Sequence, residues 1–273
     1  MKILYVFAHP EERSLNGSLR EVAFAELCAQ GHEILVSDLY AMGWKSQVDR
    51  QDFPQWPADE RLRVPAASKA GFAANALTAD VEAEIAKLRA ADGIILHFPL
   101  WWFSMPAILK GWVDRVFAYG YGYGVGEHSD ARWGERYGEG MFQDKRAMLV
   151  VTAGGWAPHY SARGINGPID DLLFPIQHGV LFYPGAQVLP PYVLYQADRI
   201  DEARFAFEAE RLRARMRGFS TEAPIPYRKQ NGGDYSIPGC ELQPWLGGPD
   251  ASGFALHSAD ASPVAARLSA VAG

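Results

Sequence analysis

The chain has 273 residues, of which 48% are hydrophobic, and its formal net charge is −6. This length suits one large domain, or one domain with an appendage, and the apolar fraction is ordinary for a globular protein. An acidic chain without a block of basic residues argues against nucleic acid and anionic membranes as main partners.

Short apolar runs and amphipathic segments alternate along the chain, and they predict strands and helices in turn. The predicted elements are, in chain order, a strand at 3–8, a helix from Leu19 to Gly31, a strand at 33–37, a helix capped by Thr78, a strand at 93–98, a helix opened by Pro106, a strand at 147–151, a helix at 170–180, strand pieces at 186–189 and 192–195, and a helix between Asp198 and Gly218. This alternation predicts an α/β fold with a doubly wound parallel sheet. Five strands with helices on both faces fit the flavodoxin-like order better than a longer dinucleotide-binding fold.

Three segments have no regular period. Residues 39–77 are predicted to be irregular, and so long an excursion indicates a functional role or a contact with a partner subunit. Residues 118–142 alternate glycine with aromatic residues, which suits a lid or binding loop, although a disordered loop fits the same composition. Residues 219–273 are rich in proline and glycine, so we expect an extended C-terminal arm appended to a domain at 1–218.

The two cysteines, Cys28 and Cys240, have no metal-binding or redox spacing. Cys28 falls on a predicted helix, where we expect a small buried thiol. The first apolar run is too short for a signal peptide or a membrane span. We therefore expect a soluble protein in the reducing environment of the cytoplasm.

Three predicted loops leave the carboxyl ends of strands and carry complementary chemistry. Loop 9–18 places hydroxyl and amide groups at a helix N-terminus, which suits a phosphate. Loop 98–106 is aromatic and stiffened by proline, and alone it fits a ligand wall and a buried packing turn equally well. Loop 152–155 ends in two glycines that let a ligand approach backbone amides. In a flavodoxin-like order these loops converge, and a planar heterocycle with a phosphate, such as a flavin, satisfies all three.

Other kinds of site are not indicated. No G-x-G-x-x-G follows the first strand, and there is no Walker-type loop or metal-ligand pairing of histidines, so no metal site is predicted. His97 is read as a core histidine, and Trp112 and Phe117 as core aromatics. Asp170 and Asp171 are read as charges at a helix N-terminus, because adjacent helical residues point apart.

Several collinear motifs resemble the NAD(P)H:quinone oxidoreductases, the DT-diaphorase family. The motifs lie between about residues 2 and 217 and are His9-Pro10-Glu11 with Ser14-Leu15-Asn16, Ser37–Met42, Phe98–Phe103, Pro106–Trp112, Thr152–Gly155, Tyr160-Ser161 and Pro175-Ile176-Gln177. The resemblance implies a flavodoxin-like homodimer that holds FAD rather than FMN and builds each active site at the dimer interface. It also implies that NAD(P)H reduces the flavin and leaves, and that a quinone then enters the same space and takes two electrons.

The resemblance assigns roles to individual residues as well. The expected cofactor-binding residues are His9, Ser14, Leu15 and Asn16 at the phosphates and ribityl chain, Pro99, Leu100, Trp101, Trp102 and Phe103 along the flavin ring, Thr152, Gly154 and Gly155 at its polar edge, and Tyr160 and Arg204 near the FAD. Tyr160 and Asn166 are the expected catalytic residues. The expected substrate-binding residues are Trp102, Phe103, Tyr123 and Val125.

The chain departs from the family at three of these positions. Asn166 stands where the family has a histidine, and an amide cannot carry a proton at neutral pH, so Tyr160 and backbone amides are expected to stabilise the reduced ring. Trp101 replaces a glutamine and makes the slot more aromatic. Val125 replaces one of two lid tyrosines, and the lid is longer, so we expect an altered quinone preference.

Three functions fit these observations. The first is an FAD-dependent NAD(P)H:quinone reductase that makes two-electron transfers. The second is a reductase of nitro or azo compounds on the same flavin. The third is a non-catalytic flavin- or nucleotide-binding protein that regulates a partner such as an ion transporter. The resemblance favours the first.

Overall fold

The computed structural model describes residues 1–248 and 252–259 of the chain. Its strands are β1 Lys2–Phe7, β2 Glu33–Asp38, β3 Gly93–Pro99, β4 Arg146–Ala153, β5 Gln187–Val188 and β6 Tyr192–Tyr195. Its α-helices are α1 Leu15–Ala29, α2 Val64–Ala73, α3 Ala79–Ala90, α4 Ala107–Val116, α5 Ile169–Phe174 and α6 Glu202–Gly218. A π-helix, Pro175–Phe182, continues α5, and short 3-10 helices cover Arg50–Asp52, Ala157–Tyr160, Ala197–Arg199, Gln230–Gly232 and Gly253–His257.

All of the strands belong to one parallel sheet with the order β2-β1-β3-β4-β5, and β6 also pairs with β4. β5 pairs with the start of β4 and β6 with its end, so β5 and β6 are two pieces of one edge position. Pro190 and Pro191 separate the pieces, because proline cannot donate to a ladder. The predicted flavodoxin-like α/β fold with five strand positions is confirmed.

Helices cover both faces of the sheet, as the continuously apolar strands predict. Ile3, Tyr5 and Phe7 of β1 lie in a core that also contains residues of α1 and α6. Leu4 and Val6, which point to the opposite face, lie in a larger core with residues of α3, α4 and α5. The site therefore rests on a sheet that is held rigidly between two packed layers.

The predicted core aromatics are confirmed, since Trp112 is completely buried and Phe117 packs against the larger core. Asp170 and Asp171 lie in the first turn of α5, as predicted. Cys28 is exposed, so the prediction of a buried thiol is wrong: the residue lies on the solvent side of α1, opposite the face that Leu19 and Leu27 bury.

Residues 39–77 were predicted to be irregular, and this is wrong for α2. Pro65 lies in the first turn of that helix, where no intrahelical acceptor exists for its missing N–H. A buried ion pair ties this segment to the domain, because Nη2 of Arg115 lies 2.8 Å from Oδ1 of Asp52. The same nitrogen lies 2.7 Å from Oδ2 of Asp80 in α3. The excursion is therefore a packed part of the domain.

From Phe219 onward the described residues contain only short 3-10 helices and lie against the preceding part of the chain. The N–H of Ile225 donates to the carbonyl of Val188 in β5 at 2.7 Å. Nε2 of Gln230 donates to the carbonyl of Trp133, in the long loop between α4 and β4, at 2.8 Å. This segment thus covers one sheet edge and holds the long loop.

Within residues 1–248 and 252–259, no helix has both the length and the apolar character needed to cross a membrane. The same residues contain no group of three or more histidine, cysteine, aspartate or glutamate side chains placed to hold a metal ion.

Candidate active site

The loops after β1, β3 and β4 meet at the carboxyl edge of the sheet around a cleft of about 410 Å³. Because these three strands are neighbours and parallel, their loops emerge side by side. The cleft lining includes nine of the residues predicted to bind the cofactor. They are His9, Ser14, Leu15, Asn16, Pro99, Leu100, Trp101, Thr152 and Gly154.

α1 begins at this cleft with Ser14 as its N-cap. Oγ of Ser14 accepts the N–H of Gly17 at 3.1 Å, which satisfies one of the free donors of the first turn. The N–H groups of Leu15 and Asn16 belong to the same turn and have no acceptor within the helix. Together with the positive end of the helix dipole, these amides suit an anionic group.

Gly17 lets the first loop fold back onto the start of α1. A Cβ atom at Gly17 would lie only 1.8 Å from the carbonyl oxygen of Glu12. No larger residue fits there without a movement of the backbone. This close approach sets the position of loop residues 9–14 relative to the helix.

His9 connects the first loop with the aromatic turn. Its Nδ1 lies 3.1 Å from the amide nitrogen of Glu11 and 3.2 Å from the carbonyl oxygen of the same residue. Its ring centroid lies 6.3 Å from that of Trp101. The loop therefore holds the imidazole through Nδ1, and Nε2 is left for a ligand in the cleft.

Thr152 connects all three loops. Its hydroxyl donates to Oδ1 of Asn16 at 3.1 Å, and both side chains are almost completely buried. Its carbonyl accepts the N–H of Leu100 at 2.8 Å. A buried hydrogen bond of this kind is costly to leave half-made, so the three loops form one connected unit.

The aromatic stretch forms a tight turn closed by Trp101 and Ser104, each donating its N–H to the other's carbonyl at 3.1 Å. Between them, Trp102 and Phe103 have φ of 49° and 62°. A two-residue type I′ turn needs positive φ at both central positions, and a residue with a Cβ pays about 1 kcal/mol for it. Trp102 is 94% exposed and Phe103 is 49% exposed, so the strained turn presents both rings to solvent next to Trp101, which lines the cleft. Within one chain, therefore, this is not a buried packing turn.

Two glycines follow β4, and other side chains approach the backbone closely at both of them. A Cβ atom at Gly154 would lie 3.0 Å from Oδ2 of Asp198, and one at Gly155 would lie 2.8 Å from the ring of Tyr160. Tyr160 ends a short 3-10 helix, and its ring centroid lies 5.5 Å from that of Tyr195. Burial, followed by the charge of Asp170, raises the pKa of Tyr195 to about 12.

Arg204 and Asn166 are among the predicted residues that do not line the cleft, as are Trp102, Phe103, Gly155 and Tyr160. Nη2 of Arg204 donates to the carbonyl of Tyr195 at 2.6 Å, so this arginine supports the segment that leads into the cleft. The backbone N–H of Asn166 donates to the carbonyl of His159 at 3.0 Å. The side chain of Asn166 forms no hydrogen bond with any described residue, and the structure therefore does not join it to Tyr160.

The predicted lid residues are not in the cleft of their own chain. Tyr123 lines a separate cavity of about 30 Å³ that Arg115 and Phe117 also line. The carbonyl of Val125 accepts the N–H of Glu135 within the long loop at 2.9 Å. Within one chain, then, neither residue is positioned to contact a ligand at the aromatic turn.

Ala197 and Asp198 also line the cleft and were absent from the predicted site. They follow β6, so the rule that loops converge at the carboxyl ends of strands applies to them as well. The signal was obscured because the last strand position is split into two short pieces. The N–H of Gln196 donates to the carbonyl of Gly155 at 2.9 Å, which fixes this fourth loop against the third.

His97 lies in β3, two residues before the first cleft residue of that loop. It is fully buried, and its Nδ1 lies 2.8 Å from the hydroxyl oxygen of Tyr5. Its Nε2 has no hydrogen-bond partner among the described residues. Burial lowers the pKa of His97 to about 3, so the ring is neutral. It is a core histidine, as predicted, although only one ring nitrogen is satisfied.

Known proteins with similar sequences share this architecture. Residues 1–216 match the family described as flavodoxin-like fold. The chain is 61% identical over 258 residues to the ribosyldihydronicotinamide dehydrogenase-like protein traD of Penicillium crustosum. This match covers 94% of this chain and 96% of that protein. It is 39% identical over 195 residues to NAD(P)H dehydrogenase (quinone) 1 of Rattus norvegicus, covering 71% and 68% of the two chains.

A solved structure from Klebsiella pneumoniae, described as a candidate quinone reductase, is similar as well. It has a TM-score of 0.92 and 57% identity, and the match covers 94% of this chain and 99% of that one. The chain therefore belongs to the flavodoxin-like family of NAD(P)H:quinone oxidoreductases.

Proposed function

We propose that this chain reduces quinones by two electrons, with NAD(P)H as the donor and FAD as the bound flavin, in a ping-pong sequence at one aromatic slot. Family membership makes the chain an oxidoreductase that uses a flavin and a reduced nicotinamide. The choice of FAD over FMN and the order in which the two substrates use the slot are the specific parts of the proposal.

The observation that carries the proposal is the strained aromatic turn at the cleft. Two exposed aromatic rings at positive φ have no structural benefit within the chain, since Trp102 buries almost none of its surface. Strain of this kind is retained where a ligand uses it. A flat aromatic wall stacks on a nicotinamide or a quinone equally well, which suits a slot that both must occupy in turn.

The residues around the cleft fit a flavin. The first turn of α1, with the hydroxyl of Ser14 and the free amides of Leu15 and Asn16, suits its phosphate groups. Gly154 lines the cleft without a side chain of its own, which suits the approach of a ring's polar edge to the backbone. When bound, a flavin supplies a ring that accepts a hydride from a dihydronicotinamide and passes two electrons to a quinone.

The chain contributes positioning, exclusion of water and hydrogen bonding. Trp101, Trp102 and Phe103 would wall the slot and hold a planar substrate parallel to the cofactor ring. The Tyr160 hydroxyl would donate a hydrogen bond at the polar edge of that ring, where negative charge develops during reduction. Asn166 would add at most a hydrogen bond, because its amide cannot release a proton at neutral pH.

We also propose that the chain acts as a homodimer with each site completed by the partner subunit. The exposure of Trp102 and the position of Tyr123 and Val125 outside the cleft of their own chain support this arrangement. In the same scheme the domain spans residues 1–218 and residues 219–273 are an appended arm, of which 249–251 and 260–273 lie outside the described part of the chain. The two unpaired cysteines, Cys28 and Cys240, agree with a cytoplasmic setting.

The first experiment is a spectrum of the purified protein, followed by mass measurement of the flavin released on denaturation. FAD absorbance that bleaches anaerobically with NADH or NADPH supports the proposal. Release of FMN would refute the choice of FAD, and a colourless protein that cannot be loaded with either flavin would refute flavin chemistry altogether.

The second experiment follows reoxidation of the reduced protein in stopped flow, with benzoquinones, nitroaromatics and azo dyes in parallel. Rapid reoxidation by benzoquinones alone supports quinone reduction. Preference for the nitro or azo compounds would assign the alternative activity. Dihydronicotinamide riboside belongs in the donor panel, because the names of relatives point to two kinds of nicotinamide donor. Parallel lines in double-reciprocal plots would support the ping-pong order, and intersecting lines would refute it.

A further inference from the structure

We propose that Trp156 and Arg199 hold the adenylate end of FAD and thereby select FAD over FMN, an inference that rests on the proposed flavin function. The two residues belong to different loops, which follow β4 and β6. Trp156 comes two residues after Gly154, and Arg199 directly follows Asp198; both of these neighbours line the cleft. Cζ of Arg199 lies 5.9 Å from the centroid of the Trp156 ring. This pair therefore joins the two loops next to residues of the cleft lining.

The chain itself leaves both side chains largely unused. Trp156 keeps 48% of its surface exposed. Arg199 is exposed and forms no ion pair with any described residue. An aromatic face binds a nucleobase by stacking, and a guanidinium binds a phosphate through planar, charge-assisted hydrogen bonds. FAD carries one base and one phosphate more than FMN, so the pair matches the part of FAD that FMN lacks.

The backbone before Arg199 is held in an unfavourable conformation that brings the pair together. Gln196 has φ of 55° and ψ of 43°, in the left-handed region that few residues other than glycine adopt. Its N–H donates to the carbonyl of Gly155 at 2.9 Å, and its carbonyl accepts the N–H of Arg199 at 3.0 Å. These bonds place Arg199 beside the residue that follows Gly155, which is Trp156. Strain of this kind is retained where function uses the resulting geometry.

The pair lies on a direct route from the expected phosphate site. α1 and α6 share one core, so the first turns of both helices lie on the same face of the sheet. The phosphate site is the first turn of α1, and Arg199 comes three residues before α6 begins at Glu202. Ala197 and Asp198 line the same cleft between these two points. A second phosphate and an adenosine can therefore continue from α1 towards Arg199 along the protein surface.

The opposite side of the cleft is less suitable for an adenylate. A cavity of about 400 Å³ lies there, between the first loop and the residues that follow β2, and it shares His9 with the cleft. Two of its three carboxylates are paired with arginines, and the third, Glu12, is not paired with any described residue. The pairs are Glu11 with Arg13 and Asp38 with Arg20. A second phosphate would meet net negative charge there, whereas on the β6 side Arg199 offsets Asp198.

The test measures the affinities of FAD and of FMN separately, by fluorescence titration of the flavin-free full-length protein. The wild type should bind FAD at least tenfold more tightly than FMN. Trp156→Ala and Arg199→Gln should each weaken FAD binding by about tenfold, the loss expected for one stacked base or one charge-assisted contact. Both variants should bind FMN as the wild type does, because FMN has no adenylate. Trp156→Phe keeps an aromatic face and should retain most of the preference for FAD.

Arg13→Gln is the matched control, because it removes an exposed arginine from the opposite side of the cleft. It should leave the ratio of the two affinities at the wild-type value. If Trp156 and Arg199 merely hold the loops together, their variants will lose FAD and FMN alike, and that result would overturn the inference while flavin binding stands. Equal affinity of the wild type for the two flavins would overturn it too, and needs no variant. A wild type that binds neither flavin would refute the proposed function and this inference with it.

Discussion

Replacing Gly17 with alanine tests whether the fold of the first loop holds the flavin site together. The new Cβ would lie 1.8 Å from the carbonyl oxygen of Glu12, where ordinary contact begins at 3.4 Å. The loop or the helix start must therefore move by about 1.6 Å, the difference between these distances. Overpacking of this kind costs about 1–3 kcal/mol, which lowers the Tm of a chain of this size by about 2–12 °C. Such a movement would break a hydrogen bond between the loop and a charged phosphate, worth about 1.5–3 kcal/mol, so we expect flavin affinity to fall by at least tenfold.

The measurements are thermal unfolding of the flavin-free protein and a fluorescence titration of flavin. Gly218→Ala is the control, since its nearest contact, Cβ of Glu222, lies 4.0 Å from the added atom at ordinary backbone angles near the end of α6. The control should keep wild-type affinity and should unfold at the same or a slightly higher temperature. Wild-type flavin affinity together with wild-type Tm in Gly17→Ala would refute the account of how this loop is positioned.

Three further changes test other parts of the structure. Tyr160→Phe should slow flavin reduction in stopped flow without releasing the flavin, because only a hydroxyl is removed; unchanged kinetics would exclude that role. Trp102→Gly should slow quinone reduction at least tenfold. It should also raise the free energy of unfolding by up to about 1 kcal/mol, because glycine adopts positive φ without strain. A lower Tm for this variant would contradict the inference that Trp102 strains the turn. In the unfolded chain His97 becomes protonated below pH 6.5, whereas in the folded chain its pKa is about 3. As the pH falls from 6.5 towards 3, the free energy of unfolding therefore decreases by about 1.4 kcal/mol per pH unit. In His97→Gln, chemical denaturation between pH 6.5 and 4.5 should show a smaller loss than the wild type, and equal slopes would contradict the assignment.

The order of strands and helices was predictable because the strands are short, continuously apolar runs, whereas the helices are longer amphipathic segments. Two errors have local causes. α2 was missed although its sequence carries Pro65 in the first turn, a position where proline is compatible with a helix. Cys28 was misassigned because a helix position alone does not tell which face packs against the sheet, and α1 leaves that residue exposed. The local sequence pattern left open whether a helix forms at α2 and which face of α1 is buried, and the packing of the whole domain decided both.

The candidate site was predictable to the extent that it depends on topology. Neighbouring parallel strands bring their loops together, so nine of the expected residues line one cleft. The backbone strain of Trp102 and Phe103 was not predictable, because the residue types argue against positive φ. Nor was the participation of Asp198, since its loop follows a strand split by prolines. Sites assembled from two chains, as proposed for Tyr123 and Val125, depend on contacts that no single chain contains.

The split edge strand also bears on how this protein avoids aggregation through its sheet edge. An open edge of a parallel sheet offers unpaired backbone groups to any other extended chain, and such edges promote aggregation. Here Pro190 and Pro191 interrupt the edge, and the N–H of Ile225 occupies the carbonyl of Val188 beside them. Truncation before Ile225 would uncover a hydrogen-bonding template that the complete chain conceals. The arm thus protects the sheet edge against misassembly, and versions of this enzyme shortened before Ile225 should be less soluble at high concentration.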